Sequence, residues 1–224
     1  NIASLPTTIA TVARPIDESN QPLLAKAGEI ITITGEEFDT TVAPTVELSD
    51  GKCTPNIPVS STMFTCEVTI PPTTAGVVQA TVCYGTTCTP PTNIAVFIPV
   101  ITESTATIAA QSLTTLTING NGFGTSPIVT LTNGASCSSV SVTKAGETIE
   151  CTVTGVTRAG KLFATVSAGG VTSASTQVAS LQATITESTA IISSGALSFV
   201  VNGDFFAPGM TVSLSPSGVC APAS

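Results

Sequence analysis

Apolar and hydroxylated residues alternate in short runs along most of the chain, and the same runs return. "IITITGEEF" (30–38), "LTINGNGF" (116–123) and "SFVVNGDFF" (198–206) each carry apolar side chains two residues apart, then a glycine, then a phenylalanine. Ile31/Ile33, Leu116/Ile118 and Phe199/Val201 precede Gly35, Gly120 and Gly203, and Val46/Leu48, Val129/Leu131 and Val212/Leu214 follow them. A period of two with Thr or Ser between predicts strands with one face buried and one wet. Phe38, Phe123 and Phe206, each three residues past its glycine, are expected to turn one large ring into a core. No segment has a helical period.

Three landmarks keep one register. Gly35, Gly120 and Gly203, the acids Glu18, Glu103 and Glu187, and the thiols Cys53, Cys137 and Cys220 recur at steps of about 84 residues, as expected of an array of similar folded units. "AGVVQATV" (75–82) returns as "AGKLFATV" (159–166). Short strands split by Gly, Pro, Asn and Asp turns, seven or so to a unit, predict antiparallel β-sandwiches of immunoglobulin size. The fold expected is therefore all-β: tandem immunoglobulin-like antiparallel β-sandwiches in a linear array. Residues 14–98 form repeat 1, 99–181 repeat 2, and 182–224 an incomplete repeat 3. "TIATVARPIDES" (8–19) aligns with "NIAVFIPVITES" (93–104) and "QVASLQATITES" (177–188), so residues 1–13 are expected to be a terminal strand belonging to a preceding or neighbouring unit.

These residues resemble a known family. "ITITGEEF" and "LTINGNGF", the pair Cys53 and Cys66 with "CEVTIPP", and "AGVVQATV" are similar to the IPT/TIG domains, immunoglobulin-like modules of plexins, certain transcription factors and many surface proteins. The resemblance runs over nearly the whole chain from about Pro15, and it implies tandem sandwiches of an extracellular surface or fibre protein.

Cysteine spacing adds the compartment. Cys53 and Cys66, and Cys137 and Cys151, occupy equivalent positions in two repeats, and recurrence of a pair in register predicts partners. Cys83 and Cys88 flank "YGTT" as a hairpin staple; repeat 2 has "SAGGVT" there, where Gly169 and Gly170 can turn without a bridge. Three disulfides point to an oxidising compartment, extracellular or at the cell surface. Cys220 is unpaired in this chain, its partner expected beyond Ser224. A zinc site is the competing reading, but the chain has no His to complete a ligand set.

Charge and composition narrow the function. With 6 Lys and Arg against 14 acids the net charge is −8, so nucleic acid would be repelled. No run approaches the ~20 apolar residues of a membrane helix, so no membrane insertion is expected, nor any cofactor. Without His, catalysis reduces to carboxylates such as Glu36, Glu37 and Asp39, whose cluster is not repeated in the second unit and reads as a solvated turn; no enzyme is expected. Glu18, Glu103 and Glu187 recur at the interdomain junction, where they set a turn; the alternative there is calcium, for which only Asp17 offers a neighbouring carboxylate. No Asn-x-Ser/Thr sequon occurs, whereas Thr7, Thr8, Thr73, Thr74, Thr89 and Thr92 sit beside Pro in expected loops and are candidate O-glycosylation sites. The expected function is a non-enzymatic extracellular structural protein, a stalk or fibre. Its partners are further units, by head-to-tail self-association or within a longer array, and covalent glycans. The alternative is an adhesin or receptor ectodomain that binds a protein or carbohydrate.

Overall fold

The computed structural model describes residues 17–104, 106–109, 115–187, 198–214 and 218–220. The segment 1–13 lies outside them. The described chain is strand and turn throughout, and it divides into two compact units, the first of residues up to Val100 with 121–124 and 168–172, the second of the rest from Ile101.

Eight strands make the first unit: β1 (Gln21–Leu24), β2 (Ile30–Thr34), β3 (Thr45–Leu48), β4 (Lys52–Pro55), β5 (Met63–Ile70), β6 (Gly76–Tyr84), β7 (Thr87–Cys88) and β8 (Thr92–Ile98). One sheet runs β1-β8-β6-β3 with β7 hairpinned onto β6, and the other runs β2-β5-β4. The alternation read from the sequence sorts side chains between core and solvent: Ile31, Ile33, Phe64, Cys66 and Val68 of one sheet meet Val78, Ala80, Val82, Ile94 and Phe97 of the other. Phe38 closes the end of this core, its ring edge-on to Phe64 at 5.0 Å and 84°.

The second repeat follows the same plan with β9 (Val100–Ile101), β10 (Thr107–Ala109), β11 (Thr115–Asn121), β12 (Ile128–Leu131), β13 (Ser136–Thr143), β14 (Thr148–Thr154), β15 (Gly160–Ala168), β16 (Val171–Thr172) and β17 (Thr176–Gln182). Its sheets are β10-β17-β15-β12, with β16 on β15, and β13-β14-β11-β9. Leu116, Ile118, Ile149, Leu162, Val166, Val178 and Leu181 fill the space between them. Farther along, β18 (Thr184–Ile185) pairs with β19 (Gly203–Asp204), and β20 (Val212–Leu214) pairs with β21 (Gly218–Cys220).

Two features were not legible as alternation. The sandwich is not wholly antiparallel: β1 runs parallel to β8, and β10 parallel to β17. Each final strand also carries a bulge, with Ile94 slipped out of register between Asn93 and Ala95, and Val178 between Gln177 and Ala179. Ile94 and Ala95, and Val178 and Ala179, are consecutive buried residues, which a strict period of two forbids and a bulge permits.

The bridge Cys53–Cys66 joins β4 to β5, and Cys137–Cys151 joins β13 to β14, each with Cα atoms 5.5 Å apart. Both staple neighbouring strands of one sheet and leave the two sheets to be held by apolar contact. Cys83–Cys88 clamps the β6–β7 hairpin, where Gly85 takes φ of 63° as the first residue of a two-residue loop. In the second repeat Gly169 and Gly170, at φ of 55° and 83°, turn the chain as an unbridged pair.

One expectation fails in the third repeat. Phe38 and Phe123 are buried, but Phe206 is 40% exposed. Its repeat presents only short strand pairs among the described residues, so no opposing sheet receives the ring.

Opening the Cys53–Cys66 bridge by a double substitution to Ala removes a loop constraint of 13 residues and should lower the stability of the first unit by about 3 kcal/mol. Phe64→Ala, which empties a fully buried site, should cost about 3–5 kcal/mol. Tyr84 is the one tyrosine in a chain without tryptophan, so urea titrations followed by its emission measure both.

Candidate functional site

The repeated acid-serine dipeptide has a backbone explanation. The Asp17 N–H donates to the Thr34 carbonyl at the end of β2 (2.9 Å), and two residues later the Ser19 N–H donates to the Asn93 carbonyl of β8 (2.8 Å). Between these bonds the chain leaves one sheet for the other, and Glu18 sits at the crossing. The second unit makes the same pair, Thr102 to Asn119 (2.8 Å) and Ser104 to Gln177 (2.9 Å), around Glu103. Thr186 to Asn202 (2.7 Å) repeats the first bond ahead of Glu187. The three glutamates are exposed. Among the described residues no three His, Cys, Asp or Glu side chains converge as metal ligands.

Three loops meet at the end of the first unit where Thr34 pairs with Met63 and β6 stops at Tyr84. Residues 35–44 leave β2, residues 56–62 enter β5, and the β6–β7 hairpin stands beside them. The Gly35 N–H donates to the Thr62 carbonyl (3.0 Å) and the Phe38 N–H to the Ser61 carbonyl (2.8 Å), which ties the first loop to the second. Asp39 folds the first loop on itself: its Oδ1 accepts the Thr41 hydroxyl (2.6 Å) and the Thr41 N–H (2.8 Å). Those two bonds, the hydroxyl first, hold its carboxyl below the usual range.

Tyr84 packs against the core from the hairpin side, and its hydroxyl oxygen is buried with no hydrogen-bond partner among the described residues. Burial raises the phenol above its ordinary value, and the Asp39 charge adds to this. Tyr84, a lone tyrosine, has no sequence pattern to mark it, whereas Asp39 is exposed in a turn, as the acidic cluster suggests.

The candidate glycosylation sites differ in what their hydroxyls already do. The exposed Thr73 donates to Asp50 Oδ2 (3.0 Å), and the same oxygen accepts the N–H of exposed Thr74 (3.0 Å). Thr89 is half-buried and its hydroxyl accepts the Val82 N–H (3.0 Å). Thr92, also half-buried, donates to the Pro90 carbonyl (3.2 Å). Thr7 and Thr8 lie outside the described residues.

Residues 18–96 match the IPT/TIG domain family, and the first unit is an IPT/TIG domain. No curated protein sequence matches the chain. Among solved structures the chain is similar to the titin tandem A164–A165 at 15% identity and TM-score 0.31, over 76% of this chain and 97% of that one. It is similar to the Yersinia pseudotuberculosis adhesin InvE at 14% identity and TM-score 0.34, over 75% of this chain and 58% of that one. The full extracellular region of plexin A4 gives 14% identity and TM-score 0.33, over 79% of this chain and 19% of that one.

Because burial disfavours the ionised phenol, this group leaves stability unchanged below the ordinary value of about 10 and lowers it as pH rises from there through the raised value. The first unit should therefore lose stability above about pH 10, and absorbance titration of Tyr84 should show ionisation later than in the unfolded chain. Tyr84→Phe removes an unpartnered hydroxyl, so it should be neutral or stabilising by at most about 1 kcal/mol and should abolish the alkaline loss.

Proposed function

We propose that the chain is a non-enzymatic structural segment of an extracellular protein, a stalk or fibre assembled from serial immunoglobulin-like modules. The observation that carries this reading is the recurrence of one backbone arrangement at a constant spacing: Asp17 to Thr34, Thr102 to Asn119 and Thr186 to Asn202. A single residue separates the strand that closes one repeat from the strand that opens the next, Pro99 between β8 and β9 and Ala183 between β17 and β18. A load along the chain would pass from sheet to sheet with almost no slack linker to extend.

The bridges suit the same role. Cys53–Cys66 and Cys137–Cys151 lock strand pairs inside each sheet, and such bridges persist in oxidising compartments outside the cell. The outward face of the second unit's β13-β14-β11 sheet is a grid of hydroxyls, with Thr115 opposite Thr152 and Ser138 opposite the same Thr152. A surface built this way carries little charge, and O-linked glycans would supply the solubility that ions do not. Self-association or continuation into further modules is part of the proposal, because Ile185, Val200 and Leu214 of the third repeat are exposed apolar side chains.

Electron microscopy of the native material should show uniform filaments or stalks; discrete globular heads on a receptor would overturn the structural reading. The intact mass should exceed the 22.3 kDa of the bare chain by whole sugar increments, and a mass equal to it removes the glycans from the proposal.

A further inference from the structure

The first compact unit is larger than the first repeat. It takes in residues 121–124 and 168–172, the turn after β11 and the β15–β16 hairpin of the second repeat. The turn between β5 and β6 holds both. The Ala75 N–H donates to the Gly122 carbonyl (2.9 Å), the Gly124 N–H donates to the Thr73 carbonyl (2.8 Å), and Thr74 bridges antiparallel to Phe123 between these bonds. Asp50 shapes the turn from its other side, its Oδ2 accepting the Thr73 hydroxyl and the Thr74 N–H. The approach leaves no room for side chains. A Cβ on Gly122 would stand 2.7 Å from the Ala25 Cβ, and one on Gly169 would overlap the Ala75 carbonyl oxygen.

The same bond recurs one repeat further along, where the Ala159 N–H donates to the Phe205 carbonyl (2.7 Å). Each donor is the alanine of an Ala-Gly pair whose glycine has positive φ, Gly76 at 121° and Gly160 at 133°. Each acceptor stands two residues past a repeated glycine and is itself left-handed, Gly122 at 77° and Phe205 at 63°. Glu37, at the same place in the first repeat, has φ of 55°. Phenylalanine and glutamate seldom adopt this region. One conformation shared by three unlike side chains is therefore a demand on the backbone, and in the second and third repeats it presents the carbonyl that the alanine meets.

We propose that the Ala-Gly turn and the left-handed residue form a clasp that makes the first repeat's stability depend on loops of the second, so that successive repeats unfold as coupled partners. Releasing the loops would leave the Ala75 N–H and the Thr73 carbonyl without their partners and would uncover Ala75 and Phe123, which are 3% and 0% exposed. Because the clasp is made by backbone groups, the surrounding loops can change sequence without losing it. The proposal goes beyond the structural role above and does not rest on it: independent repeats could still build a fibre, and clasped ones could serve an adhesin.

Tyr84 supplies the readout: it lies in the first repeat and is the chain's only tyrosine, with no tryptophan present, so it can report on substitutions made in the second. Gly169 and Gly170 are a matched pair, both at positive φ, but a Cβ on Gly170 meets nothing within 4 Å. In the full chain Gly169→Ala should lower the urea midpoint of the Tyr84 transition by about 0.5 M or more, at least about twice the shift that Gly170→Ala produces. Amide exchange followed by NMR should be at least about tenfold faster at Ala75 and Gly124 in Gly169→Ala, and should keep the parent rate there in Gly170→Ala. The second clasp gives a check that leaves the first untouched. Phe205→Asn, which suits the left-handed region, should keep the Ala159 amide protected, whereas the β-branched Phe205→Val should speed its exchange at least about tenfold. The proposal is overturned if the Tyr84 midpoint ignores Gly169→Ala, if the two glycine substitutions act equally, or if the Asn and Val variants exchange alike at Ala159.

Discussion

The passage of each module's first strand from one sheet to the other is the constraint on which the rest depends. Two backbone hydrogen bonds two residues apart, Asp17 to Thr34 and Ser19 to Asn93, attach one short segment to both sheets. After the crossing the chain has no choice of direction, so β1 must lie parallel to β8. That pairing covers an edge of β8 that would otherwise be open to other strands. The crossing also places each repeat's acidic residue on the outside, where nothing needs to bury it.

Against that backbone frame, the division of labour between sulfur and hydrocarbon becomes clear. The bridges at Cys53–Cys66 and Cys137–Cys151 lie within sheets, so they oppose the peeling of β4 from β5 and of β13 from β14. Cohesion between sheets falls to Phe64, Phe97, Ile31 and Ile94 in the first unit, and to Leu162, Ile149 and Val178 in the second. With so few aromatic residues the cores are thin, and a covalent tie in the plane of one sheet compensates where burial alone gives a small margin.

Loops are where the modules diverge. The first has a bridged hairpin, an acidic loop closed by Asp39 and Thr41, and a proline-anchored loop with two apolar side chains. The second meets the same geometric demands with glycines, using Gly169 and Gly170 in the hairpin. A scaffold held by its crossing and its core can vary these loops freely, and that freedom is where individual modules acquire different surfaces.

Alternation at Ile31/Ile33 and Leu116/Ile118 was sufficient to place strands, because it is a property of neighbouring residues along one chain. The disulfide partners were legible for the same reason, as pairs that recur in step. Other matters depended on residues tens of positions apart. The sheet each strand joins, the parallel approach of β1 to β8, the slipped Ile94 and Val178, the exposure of Phe206 and the buried hydroxyl of Tyr84 follow from which backbone groups meet across the sandwich. Hydrogen bonding between distant segments carries no local period, so alternation and spacing determined the strands and the all-β class, while only the packed structure decided how each strand crosses and which loops stand together.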